Sequence, residues 1–567
     1  MSDETKQVVR PGGAKRGYDA WLKKAGQSNI IEKIIDKRPS VFNKRGREQM
    51  ALIDERLGWT DVMRSMKRET LAIERMADTV REDGLEHLFV LGMGGSSLSA
   101  DVFSKVFGKQ SWLKSFTIVD TTAPTVLDEL FKAVELTKSF FIVESKSGNT
   151  IETISLFRLL FRRIKDVRPL KAGKYFCAVT DERSDLHHMS RRNRFRALYL
   201  NPEDVGGRYS ALSYFGLVPA AFTKANLNGI LSSADDFLST MESNPNDNDA
   251  LSLGCLLGSA WESGKDKLRF IASKKTSSFI PWIEQLVAES TGKEGKGILP
   301  IEGDNRGPAS DVNNDSTFIY YSMGSEKPSS LPSSSSNIPR AIINVSKSVN
   351  LGAEMLKWEM ATAVGSIIMG VNPFDEPNVA ETKANTLEFL KTRRGPRKVI
   401  PIDPIFHYGD MDIVHAEGIK SLARKKPYSP EEIIRSFLGD IEKGDYISLL
   451  CYSEITPAIE RKLNAARDAL AQNYKVTVSR SFGPRYLHSL GQLHKGGKQN
   501  GHFIVFEREY SNDYNIPLTL FSFERLIKAQ AKGDIATLKK RKRPVITINL
   551  KHNPAAGLNR FLELIKK

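Results

Sequence analysis

Between about residues 85 and 225, short apolar runs alternate with longer amphipathic stretches. The runs cover residues 88–91, 116–119, 140–143, 175–179 and 197–200. Their length and their β-branched and aromatic content predict buried strands. In one stretch between them, Ile154, Phe157, Leu160 and Ile164 recur at helical spacing. This alternation predicts an α/β fold with a doubly wound parallel sheet. It returns from about 245 to 395, with strands expected at 268–272, 318–320 and 341–345 and helices over 249–263, 279–291 and 350–369. Residues 1–84 read as a charged, helical N-terminal segment. The expected organisation is therefore that segment, a first doubly wound domain over 85–240, a second over 241–395, and a C-terminal α/β region over 396–567 with strands at 446–451, 502–506 and 545–550. The Ser- and Pro-rich stretch 328–336 reads as a surface loop.

Two predicted strand-to-helix turns have the chemistry of anion sites. After the run 140–143 comes Ser145-Lys146-Ser147-Gly148-Asn149-Thr150-Ile151-Glu152-Thr153. Backbone N–H groups at a helix start attract anions, and hydroxyl donors add to that pull. An ordinary helix cap would use the same residue types. After the run 88–91 comes Gly92-Met93-Gly94-Gly95-Ser96-Ser97. Its glycines allow a backbone to approach a ligand closely. It lacks the third glycine of a dinucleotide fingerprint and the Gly-Lys-Ser/Thr of a Walker loop. Both turns would lie at the carboxyl edge of one sheet, where open α/β sheets bind ligands.

Composition narrows the class. A chain of 567 residues has ample core for two or three domains. No apolar run approaches the roughly 18 residues of a membrane span. The polar start, Met1 to Arg16, shows no secretory signal. Cys177, Cys255 and Cys451 lie far apart, as expected of reduced core thiols in a cytoplasmic protein. No Cys/His cluster has metal-ligand spacing, so neither metal nor cofactor is expected. The net charge of +16 raises the question of nucleic acid. However, the basic residues are spread along the chain, the densest clusters being 539–543 and 393–398, without aromatic interleaving. They read as a solvated surface rather than a nucleic-acid or membrane interface.

A third segment, Asn201-Pro202-Glu203-Asp204-Val205-Gly206-Gly207-Arg208-Tyr209-Ser210, makes the pattern specific. With the two turns, and in the same order, it resembles the glucose-6-phosphate isomerase family, built on sugar-phosphate isomerase (SIS) domains. The resemblance implies two doubly wound SIS domains and interconversion of glucose 6-phosphate and fructose 6-phosphate through a cis-enediolate. It implies no cofactor, a small sugar phosphate as the partner, and room for a homodimer. The phosphate clamp would comprise Ser96, Ser145, Ser147, Thr150 and Thr153, with Gly94, Gly95, Lys146 and Gly207 as further substrate-binding residues. The segment 282–293 ends in Glu-Ser-x-Gly-Lys, which resembles the stretch bearing the family's proton-transfer glutamate. This maps the base onto Glu289 and a substrate-contacting glutamine onto Gln285, while Glu284 falls on another helix face. Arg208 would stabilise the enediolate, because a guanidinium stays charged and offers a fixed fork of donors.

Residues 370–383 resemble the family's Asn-x-Phe-Asp-Gln…Lys segment and place a ring-opening lysine at Lys383. The chain has Glu376 where the family usually has glutamine, and this carboxylate is expected to turn away or to pair with Lys383. No histidine lies between Glu289 and Lys383. The ring-opening histidine is therefore expected at His494, with His488 as the alternative and Glu152 orienting it. The surrounding run 483–497, and 529–534, resemble the isomerase half of bacterial transaldolase–glucose-6-phosphate isomerase fusions. The transaldolase half is not expected here, because too few residues precede Gly92 for a barrel of about 250. The Ser147-Gly148-Asn149 spelling is nearer to dual phosphoglucose/phosphomannose isomerases. A catalytically inactive sugar-phosphate-binding SIS regulator is the alternative from another class.

Overall fold

The computed structural model describes residues 5–42, 46–301, 315–328, 337–391, 404–422 and 429–566. The stretch 329–336 and the basic cluster 393–398 lie outside the described residues. The five apolar runs of the first domain are all strands: His87–Leu91, Ser115–Val119, Ser139–Glu144, Phe176–Thr180 and Ala197–Leu200. Ser139–Glu144 is buried at every position, as a central strand covered by helices on both faces must be. All five run parallel. Numbered by their order in the chain, they lie 2-1-3-4-5 across the sheet. The order reverses between strands 1 and 3, and the two candidate anion turns follow those two strands. They therefore flank the topological switch point, where doubly wound sheets open a ligand crevice.

The second sheet repeats the plan. Its parallel strands Lys267–Ala272, Leu299–Ile301, Ser316–Met323 and Arg340–Val345 lie in the order 2-1-3-4. The N-terminal segment, expected to be helical after a loose polar start, contributes the strand Lys6–Arg10, which closes this sheet antiparallel to Arg340–Val345. The two sheets belong to one compact unit (the described residues of 1–120, 134–310 and 314–376), and one continuous apolar core runs from Ala25 to Phe374. At its centre the helix Leu351–Met369 is buried on every side. It packs against the helices Leu227–Ser243, Asp249–Glu262 and Ile280–Thr291. A helix this rich in apolar residues is stable only in such a place, and its buried Lys357 and Glu354 pair with each other at 2.6 Å.

The second unit takes in the described residues of 121–133 and 377–567. The domain boundary expected at 395 lies outside the described residues. Packing assigns the helix Pro377–Lys391 to the second unit. The sheet of this unit places the parallel strands Tyr446–Cys451, Thr477–Phe482, Gly501–Glu507 and Val545–Asn549 in the same 2-1-3-4 order, extended by antiparallel Met411–Glu417 and Phe406–Tyr408. The winding expected for two domains thus occurs three times. Cys177, Cys255 and Cys451 are buried free thiols. No helix among the described residues is long and apolar enough to cross a membrane.

Candidate active site

The glycine-rich turn is shaped by backbone demands. Gly94 has φ +57° and ψ −127°, a conformation closed to residues with a Cβ, and caps the helix Gly95–Phe107. A Cβ on Gly95 would lie 2.0 Å from the Gly207 carbonyl oxygen. That contact shows how tightly the turn abuts the Gly-Gly-Arg loop. Ser96, just inside the helix, is buried.

In the second turn, Ser145 and Thr150 face each other with hydroxyls 2.8 Å apart, and Thr150 caps the helix Ile151–Val167. Thr153 is buried one turn in, its hydroxyl without a partner among the described residues. Glu152 is buried beside it. Two expected ligands are otherwise occupied. Lys146 pairs with Asp181 at 2.7 Å and donates to the Glu203 carbonyl at 3.0 Å, tying this turn to the loop that carries Arg208. Ser147 is exposed and donates to Asn149 at 2.7 Å.

Arg208 lies in the short turn Gly207–Tyr209 and is 6% exposed. Tyr209 anchors the turn, stacking near Trp59 and meeting Ser290 through its hydroxyl at 3.2 Å. The helix Ile280–Thr291 packs against both this turn and the helix Gly95–Phe107. It delivers Glu289, which is 7% exposed. Arg208 Nη1 lies 3.1 Å from Glu289 Oε1, and Gln285 Nε2 donates to Glu289 Oε2 at 3.1 Å. The expected base and the expected cation therefore form a buried pair, with Gln285 on the far oxygen.

The other side of Arg208 is set by the chain after the helix Leu351–Met369. Gly370 ends that helix in the left-handed region, and Asn372 Oδ1 accepts from the Phe374 N–H at 2.9 Å. This turn aims carbonyls at the guanidinium. Nε and Nη2 donate to Pro373 O at 3.2 and 3.0 Å, and Nη2 donates to Asp375 O at 2.9 Å. Glu376, expected to turn away or to pair with Lys383, instead reaches Arg208, with Oε2 3.3 Å from Nη1. Burial opposes the charge of Arg208, but Glu289 and then Glu376 outweigh it and raise its pKa.

Lys293 and Asp375 were given no role from the sequence, although both stand inside the motifs that name Glu289 and Lys383. Lys293 is 1% exposed, and its Nζ donates to Asp375 O at 2.6 Å and Oδ1 at 2.7 Å. Burial and then Arg208 push its pKa down to about 8 against the pull of Asp375. The Asp375 carbonyl thus serves Lys293 and Arg208 together.

Two expected site residues belong to the second unit. Lys383 is exposed on the helix Pro377–Lys391. His494 is 1% exposed, with Tyr446 Oη 3.0 Å from Nδ1 and Ser448 Oγ 3.3 Å from Nε2. Burial, with Lys495 and Arg543, holds its pKa well below the ordinary value, so it is a neutral core imidazole. Both ring nitrogens face hydroxyls of their own unit. His488 is half-buried in the short turn Arg485–His488. Among the described residues, no group of three His, Cys, Asp or Glu side chains could hold a metal ion.

Residues 37–298 match the family model for phosphoglucose isomerase. The chain is 31% identical over 227 residues to the glucose-6-phosphate isomerase of Campylobacter jejuni, spanning 38% of this chain and about half (54%) of that protein's length. It is 26% identical over 437 residues to the glucose-6-phosphate isomerase of Leptospira biflexa, covering 66% of this chain and 94% of that one. Among solved structures, a glucose-6-phosphate isomerase from Chlamydia trachomatis superposes with a TM-score of 0.55 at 18% identity, covering 68% of this chain and 88% of that one, which bears on the fold alone. Over residues 37–298, then, a chain whose Glu289, Arg208 and glycine-rich turn meet in one unit is similar to the phosphoglucose isomerases.

Proposed function

We propose that this chain is an aldose–ketose isomerase that interconverts glucose 6-phosphate and fructose 6-phosphate in glycolysis and gluconeogenesis. The observation that carries this reading is the buried Glu289, held between Arg208 and Gln285 beside the glycine-rich turn. Ser145, Thr150, Thr153 and Ser96 take the phosphate with the first-turn N–H groups of their helices. Glu289 removes the C2 proton and returns it to C1. Arg208 meets the oxygens of the cis-enediolate, where a fixed guanidinium in a water-poor site acts most strongly. Gln285 Oε1 is buried with no partner among the described residues, and so offers an acceptor to a substrate hydroxyl. Ring opening by Lys383, with His494 or His488 and with Glu152, rests on family resemblance alone. Within the family we place the chain nearest the isomerase half of the transaldolase fusions, on the residues of 483–497 and 529–534.

Glu289→Gln tests the reading. Turnover should fall by about 10²–10⁴-fold, the range for a general base, and exchange of the C2 hydrogen with solvent should fall with it. The sugar phosphate should still bind. Wild-type turnover in this variant would sink the assignment.

A further inference from the structure

Arg208 divides its donors unequally. The Nε and Nη2 edge is spent on the carbonyls of Pro373 and Asp375. Nη1 is the nitrogen left for chemistry, and two carboxylates share it: Glu289 at 3.1 Å and Glu376 at 3.3 Å. A second Glu376 contact, to Nη2, is 3.4 Å long. We propose that Glu376 is a built-in stand-in for the substrate's oxyanion, holding Arg208 Nη1 and yielding it when a sugar oxygen that bears negative charge arrives. This inference rests on the isomerase reading of the same site.

The two carboxylates are not equally free to leave. Glu289 has a side chain 9% exposed and is bonded to Gln285 through its other oxygen. The Glu376 side chain is 49% exposed and its contacts are longer. A carboxylate already half in water loses little by releasing a guanidinium. A buried one stripped of its cation pays a desolvation cost. Glu376 is therefore the partner that moves. Its anionic oxygens resemble a developing enediolate in charge and in hydrogen-bonding capacity. Displacing it taxes every ligand that seeks Nη1 by a small amount, which a ligand oxyanion repays and a neutral hydroxyl does not. Glu376 would thus set KM and selectivity without taking part in proton transfer.

The experiment uses the full chain and two probes. One is an aldonate 5-phosphate, which puts a carboxylate where the oxyanion develops. The other is an alditol 6-phosphate, which offers only hydroxyls. Glu376→Gln keeps the shape and removes the charge, and Glu376→Ala removes any contact the amide could retain. Both variants should bind the aldonate phosphate about two- to fivefold more tightly, the range a half-exposed ion pair supports. Both should lower KM for glucose 6-phosphate without lowering kcat, and leave the alditol phosphate unchanged. Equal gains for both probes would mean relief of long-range repulsion and overturn the stand-in. No gain in either variant would overturn it too. A wild-type chain that neither isomerises glucose 6-phosphate nor binds either probe would instead refute the isomerase reading, and the inference with it.

Discussion

Lys293→Met removes an ammonium that is 1% exposed and leaves the Asp375 carboxylate, 18% exposed, without its partner. Removing one member of a buried pair costs about 3–5 kcal/mol. Asp375 retains some attraction from nearby Arg208, and the low pKa of Lys293 means that burial and Arg208 already offset the pair's gain at pH 7, so a loss well below that range, under about 1 kcal/mol, is expected. The pH dependence gives an independent check. The pKa of Lys293 lies near 8 in the folded protein, against an ordinary 10.5. Between these values the unfolded chain holds more protons at this residue than the folded one. Stability of the wild type relative to Lys293→Met must therefore rise as pH rises through this window. The gap of about 2.5 pH units limits the rise to about 3 kcal/mol. All six tryptophans (Trp21, Trp59, Trp112, Trp261, Trp282 and Trp358) lie in the first unit, so tryptophan fluorescence during urea unfolding reads that unit alone. Isomerase activity of the variant should fall as well, because the Asp375 carbonyl that holds Arg208 loses one of its two donors. A stability loss of about 3 kcal/mol or more at pH 7 would contradict this offset. A wild-type advantage that shrank between pH 8 and 10 would contradict the depressed pKa.

Two other substitutions probe the turns. Gly95→Ala drives a Cβ to 2.0 Å from the Gly207 oxygen and pushes the Arg208 turn away; a shift near 1 Å should cost about 10²-fold in kcat/KM, and unchanged kinetics would show that the two turns need not touch. Glu144, the last residue before the turn 145–150, is buried with neither carboxylate oxygen partnered among the described residues, and burial raises its pKa well above the ordinary value. The folded protein therefore keeps this proton as pH climbs past the point where the unfolded chain loses it. Glu144→Gln should then be more stable than the wild type at pH 8, with the difference shrinking towards pH 5. Denaturation series at both values decide the point, and a pH-independent difference would refute the neutral carboxyl.

The central strands were legible because a buried parallel strand must be apolar on both faces, as in Ser139–Glu144. The two edge strands of the second sheet were not. Lys6–Arg10 alternates exposed with half-buried positions and finds its partner more than three hundred residues away, at Arg340–Val345. Leu299–Ile301 is short and contains Pro300, which argues against a strand except at an edge, where it lies. The two strand-to-helix turns were legible as candidate anion sites because that chemistry resides in the residue types themselves, glycine for approach and hydroxyls for donation. By itself, then, the amino-acid sequence determined the parallel winding of the sheets and the two turns at the switch point, and it singled out Glu289, Gln285 and Arg208 as candidates.

Tertiary structure decided what those groups face. A charge chooses its partner by distance and burial, and both arise from segments far apart in the chain. Nothing local to Arg208 dictates that the loop 373–376 supplies its carbonyls and a second carboxylate. Nothing local to Lys293 foretells its burial, because a lysine after a helix-ending glycine is ordinarily exposed. His494 makes the same point in reverse. Its sequence neighbourhood suggests chemistry, whereas the sheet of the second unit encloses it among Tyr446, Ser448 and Phe503. Residue type sets what a side chain can do, and only the packed chain sets the dielectric and the neighbours in which it does it.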